Sequence, residues 1–137
     1  MPTALDVQGP IRTDNREVAM TATTILAALL AIVLLGAGAT MTLAVTFQRD
    51  TATHLGFSVN AFRRIGVLEL LGAIGVLLGL TIPAVGALAA VGIVALMVGA
   101  AISHLRVRDR FAQLIPAIAI AAVAVAYLIL VGQQAVS

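Results

Sequence analysis

The chain has 137 residues, of which 61% are hydrophobic and only 10% charged, with a formal net charge of +2. Soluble domains carry roughly a quarter charged residues, so this composition excludes a water-soluble globule and leaves an integral membrane protein. Every basic residue is arginine, no basic patch is interleaved with aromatics, and cysteine is absent, which excludes nucleic-acid binding and thiol or disulfide chemistry within the chain.

Residues 1–18 are polar and mixed in charge, with Asp6, Arg12, Asp14, Arg16 and Glu17 around Gly9-Pro10. They read as a flexible tail. The first apolar run, residues 23–47, is too long and too late for a cleaved signal peptide, so it is expected to remain as a membrane anchor. A span needs about 20 apolar residues, and this run exceeds that, which implies tilt or an interfacial start. Residues 48–60 read as a loop with charges and turn formers. The next run, 65–80, is short, and it becomes a span over residues 62–80 when Arg63 and Arg64 snorkel outward. Residues 81–83 form a tight turn whose Pro83 ends that helix. A third span follows over 84–105, then a charged loop over 106–113, a fourth span over 114–132 and a short tail over 133–137. The fold class expected is all-α, an integral membrane antiparallel four-helix bundle over residues 19–132.

Arginine counts set the orientation. The loop face holds Arg49, Arg63, Arg64, Arg106, Arg108 and Arg110, against Arg12 and Arg16 on the other side. The positive-inside rule then places the Arg-rich loops in the cytoplasm and both termini outside, in a bacterial inner membrane. Gly75/Gly79, Ala95/Gly99/Ser103 and Ala122/Ala126 are small-xxx-small pairs, which let helices approach closely in lipid, within one chain or between copies. Tyr127 is the one side chain suited to an aromatic belt, since no Trp is present.

Glu69 is the single acidic residue inside an apolar run. A charged group in hydrocarbon costs at least a few kcal/mol, so it needs a partner, a proton or a function. In an antiparallel bundle Arg63, Arg64 and Glu69 come level with His104 and Arg106, and Thr42 near the end of the first helix lies at similar depth. Two readings stay open for Glu69: a structural carboxyl that fixes helix register, paired with an arginine or protonated and hydrogen-bonded, or a carboxyl that handles protons or a ligand head group. His104 adds an imidazole, a side chain type suited to proton transfer. Arg106, Arg108 and Arg110 with Asp109 read as anchors for anionic lipid heads. His54, His104 and Glu69 lack metal-ligand spacing, and no Gly-rich phosphate loop or nucleophile elbow occurs. No metal is expected.

Three segments carry a family resemblance: His54-Leu55-Gly56-Phe57-Ser58, Arg64-Ile65-Gly66-Val67-Leu68-Glu69-Leu70-Leu71-Gly72, and Leu96-Met97-Val98-Gly99-Ala100-Ala101-Ile102-Ser103-His104-Leu105-Arg106. In this order they resemble the DoxX-like family of small four-helix bacterial membrane proteins. Many of its members carry a lysine near the end of the first helix, where this chain has Thr42. The resemblance implies a four-helix bundle associated with membrane redox systems, since the founding member is similar to a subunit of a thiosulfate:quinone oxidoreductase.

Three functions follow as expectations. The first is an accessory or structural subunit of a membrane assembly, partnered by lipids and by other membrane subunits or its own copies, with no intrinsic cofactor. The second is a quinone- or lipid-linked oxidoreductase component in which Glu69 and His104 handle protons. The third, a small proton-coupled transporter built on Glu69, is disfavoured because the glutamate is neither in the first helix nor among aromatics. Whether the chain is itself an enzyme stays open at this level.

Overall fold

The computed structural model describes residues 9–136 as five helices with no strand among them: α1 Gly9–Thr42, α2 Thr46–His54, α3 Val59–Leu78, α4 Pro83–Arg106 and α5 Phe111–Val136. The expected N-terminal tail is therefore shorter than read. Residues 9–18 belong to α1, because proline is tolerated in the first helical turn, where its missing N–H has no partner anyway. Residues 1–8, the rest of that tail, lie outside the described residues, as does Ser137. Residues 133–136 likewise extend α5.

The expected loop over 48–60 is largely α2. Helix α1 stops at Thr42, short of the expected 47, where the N–H of Ala44 bonds to the Met41 carbonyl (3.0 Å) and that of Val45 to the Thr40 carbonyl (3.3 Å). Ala44 adopts φ 49. This is a Schellman closure built on alanine instead of the usual glycine. Helix α2 ends the same way on Gly56, with φ 78 and bonds from Gly56 to Thr53 (3.1 Å) and from Phe57 to Ala52 (2.8 Å). Ser58 then caps α3, its hydroxyl accepting from the Ala61 N–H at 3.1 Å, and Pro83 opens α4 at its first turn.

Packing follows helical spacing. On α1 the buried positions are Thr23, Ala27, Leu30, Ala31, Leu34 and Gly38, one stripe at steps of three and four. Glycines set the closest approaches. A Cβ on Gly38 would fall 2.7 Å from the Gly66 carbonyl oxygen, and one on Gly66 would fall 2.8 Å from that of Gly38. Between α3 and α4, Gly72 faces Ile93, Gly75 faces Ala89 and Gly79 faces Gly86, so residue numbers rise on one helix as they fall on the other.

Tyr127 is not a belt residue. It is 0% exposed and its hydroxyl donates to the Val76 carbonyl at 2.8 Å, in a niche formed by Gly79 and Gly86. Val76 carries one of the last four carbonyls of α3, which lack intrahelical partners. The next backbone donors go elsewhere, Gly79 to Gly75 and Leu80 to Leu77. Tyr127 therefore caps α3 from α5, and fixes the narrow end of the α3–α4 contact.

Helices α1 (from Asp14), α4 and α5 are each long and apolar enough to cross a membrane. Helix α3, with 20 residues, includes Arg63, Arg64 and Glu69 and is not among those three. Outward faces carry large apolar side chains, with Ile32 70%, Phe111 71% and Leu88 75% exposed. So much apolar surface would drive association in water and is at no disadvantage in hydrocarbon, consistent with a membrane protein.

Candidate functional site between α3 and α4

The glycines that close one end of the α3–α4 contact leave it open at the other. Gly92 and Gly99 on α4 have nothing within 4 Å of where a Cβ would stand. The space between the helices is a cleft of about 740 Å³. Its walls are apolar, with Leu68 and Leu71 from α3 and Leu88 and Leu96 from α4, while Thr51 of α2 and the following Leu55 and Phe57 line its wide end. Leu68, Leu71 and Leu88 are also 50%, 57% and 75% exposed, so the cleft opens on the outward side of the helix pair.

Four polar side chains reach this space: Glu69, Thr51, Ser103 and His104. Glu69 is 4% exposed, and its Oε2 has no hydrogen-bond partner. A buried polar atom without a partner is unusual and calls for an explanation. Ser103 donates its hydroxyl to the Gly99 carbonyl at 2.8 Å, and Thr51 donates to the Phe47 carbonyl at 2.9 Å. Their donors are spent and their oxygen lone pairs remain.

No arginine pairs with Glu69 among the described residues. Arg63, Arg64 and Arg106 are exposed, and the ion-pair contacts found among the described residues both involve Asp109. Helix geometry gives the reason: at about 100° per residue, Arg63 and Arg64 lie roughly 120° and 140° around α3 from Glu69. Thr42 is also separate from the cleft. It packs against Gly66 on the α1–α3 seam, and its Oγ1 is a second buried atom without a partner. Of the residues singled out from sequence, Glu69 and His104 share the cleft, and Thr42, Arg63, Arg64 and Arg106 do not line it.

Asp109, read from sequence as part of a lipid-anchoring cluster, is instead the hub of the wide end. His104 Nδ1 lies 2.6 Å from its Oδ2 and His54 Nε2 lies 2.7 Å from its Oδ1. The Asp109 side chain is only 7% exposed, against 20% for His104 and 54% for His54. The hydrogen bond to His104, then that to His54, holds the Asp109 carboxyl below the usual aspartate range. The contact also joins α2 to the α4–α5 turn, so both Arg-bearing connections meet at one end of the molecule.

A third Schellman closure delivers Asp109 to this place. The Arg108 N–H bonds to the Leu105 carbonyl at 3.1 Å and the Asp109 N–H to the His104 carbonyl at 3.0 Å. Arg108 sits at φ 58, the left-handed position where glycine is usual, at a cost of about 1–3 kcal/mol for a side-chain-bearing residue. Nothing in the amino-acid pattern marks that turn. The hint present in sequence is the spacing of five residues from His104 to Asp109 across a helix end. Among the described residues no group of three or more His, Cys, Asp or Glu side chains is arranged to hold a metal ion.

The sequence model of the DoxX-like family matches residues 25–127, a stretch that includes the cleft, α2 and the Asp109 hub. No curated protein and no solved structure matches the chain.

Proposed function

The chain belongs to the DoxX-like family, and on that premise we propose that it is a four-helix component of a membrane redox assembly whose α3–α4 cleft binds a lipid-soluble molecule of the quinone class. In this reading α1, α3, α4 and α5 cross a bacterial inner membrane as an antiparallel bundle. The Arg-bearing connections face the cytoplasm, with α2 at that surface.

One observation carries the proposal: a carboxyl oxygen without a partner, on Glu69, a residue only 4% exposed at the wall of an apolar cleft. Sites for small molecules are mostly apolar with a few convergent polar groups, and ionisable residues inside a membrane are functional by default. The residues fit such a ligand. An aromatic head would lie near Glu69 and His104, against Phe57 and Met97, with its apolar tail leaving past Leu68, Leu71 and Leu88 into lipid. A bound quinone supplies reversible two-electron, two-proton chemistry. The chain would supply the hydrogen-bonding groups and the exclusion of water. Having no cysteine, the chain has no thiol relay of its own, so the proposal makes it an accessory subunit, with onward electron transfer left to a partner.

The test is a titration of the purified protein, in lipid nanodiscs, with a short-tailed ubiquinone analogue in its oxidised and reduced forms. Glu69→Leu is expected to weaken binding at least tenfold, about 1.4 kcal/mol, while helix content is retained, because it replaces an unpartnered acid by an apolar group of similar size. Unchanged affinity in that variant would sink the proposal.

A further inference from the structure

The hub at Asp109 lies outside the buried apolar core, yet both its carboxylate oxygens are engaged and its side chain is nearly buried. Its partners differ in kind. His54, on α2, is more than half exposed. His104, on the last turn of α4, lines the cleft. A carboxylate that accepts from one ring nitrogen decides which tautomer the imidazole adopts, and so what the other nitrogen can do. Here Nδ1 is the nitrogen facing Asp109. Asp109 accepts from that nitrogen, so Nδ1 carries a hydrogen, and whenever the ring is neutral Nε2 is left as an acceptor.

We infer that Asp109 is a positioning residue: with His54 as its second partner, it fixes His104 in the Nδ1–H tautomer and thereby makes the wide end of the cleft a hydrogen-bond-accepting site, which selects a ligand head that brings hydroxyl donors over one that brings only carbonyls. Applied to the cleft reading above, on which it rests, this means a hydroquinone in preference to the matching quinone.

Independent features agree with the assignment. Ser103 and Thr51, the other hydroxyls at the cleft, have already given their hydrogens to backbone carbonyls, so they too offer lone pairs. The turn that brings Asp109 back onto His104 retains Arg108 in a left-handed conformation, and backbone strain of this kind persists at sites where the surrounding structure requires it. The charged groups around the hub are accounted for: His104 from α4, His54 from α2 and Glu69 across the cleft on α3, with Arg106, Arg108 and Arg110 exposed and outside its ion pairs.

The experiment has two arms. In the first, ¹⁵N NMR of the histidine rings in nanodiscs reads the His104 tautomer without any ligand. The expected result is a protonated Nδ1 and an unprotonated, acceptor-type Nε2 in the wild type, reversing to the Nε2–H form in Asp109→Leu. An Nε2–H tautomer in the wild type overturns the positioning role, and that spectrum needs no variant to fold. In the second arm, a short-tailed hydroquinone and its quinone are titrated anaerobically. The wild type is expected to favour the hydroquinone about tenfold, the scale of one net hydrogen bond, and Asp109→Leu to lose that preference while still binding both. Equal affinities in the wild type overturn the selection. Should neither form bind while His104 still shows the Nδ1–H tautomer, the cleft reading and the selection fall together and the positioning of His104 stands.

Discussion

Gly99→Leu separates ligand binding from folding in sign. No heavy atom lies within 4 Å of the position a Cβ would take at Gly99, yet Gly99 lines the cleft beside Ser103 and His104. The added Cβ therefore meets no neighbour, and the substitution removes a glycine from a helix interior, where glycine costs about 0.5–1 kcal/mol relative to good helix formers. The fold is expected to gain about that amount of stability. The same side chain occupies the wide end of a cleft of about 740 Å³, where the ligand head is proposed to sit. Binding of the quinone analogue is expected to fall at least tenfold, about 1.4 kcal/mol. Thermal unfolding in detergent and titration in nanodiscs measure the two effects on one preparation. A variant that unfolds earlier than wild type would refute the reading of Gly99 as facing open space. A more stable variant with undiminished affinity would refute the placement of the ligand.

Tyr127→Phe removes the donor that caps the Val76 carbonyl and leaves that carbonyl buried without a partner, so a loss of about 1–3 kcal/mol in unfolding free energy is expected from equilibrium denaturation. Asp109 is held below the ordinary aspartate range by its two histidines, so its contribution to stability is fully present above the unfolded-state pKa and is lost as pH falls through the lower folded value. Amide exchange in α2 is accordingly expected to stay slow as pH is lowered through the ordinary aspartate range, and to accelerate only below it. Acceleration already near neutrality, with helices α3 to α5 still protected, would contradict the tether.

The long helices were legible in the sequence because hydropathy alone marks them. Their ends were less so. The arrest of α1 at Thr42 depends on a left-handed Ala44, and the close of α4 on a left-handed Arg108, and neither residue type signals such a turn. Helix α2 was hidden for a different reason: Thr46–His54 is polar, with Ala52 as its one buried residue, so it has no apolar face to reveal a period. Glu69 stood out because a carboxylate is costly where its neighbours are apolar, and His104 because it closes a helix at the same depth. Their common cleft follows from the divergence of α3 and α4, which rests on which glycines touch and which do not. Asp109 was missed because its partners come from positions 5 and 55 residues earlier in the chain, brought together by those same turns. Tyr127 looked like an interfacial residue, and only the niche between Gly79 and Gly86 makes it a helix cap.

Photoaffinity labelling reads directly whether the cleft is occupied. An azido-substituted short-tailed quinone, activated by light in vesicles containing the protein, should mark peptides of α3 and α4 that line the cleft, around Leu68–Gly72 and Leu96–His104, with labelling suppressed by excess unmodified analogue. Labelling spread over the outward faces of α1 and α5, or insensitive to competition, would contradict that occupancy.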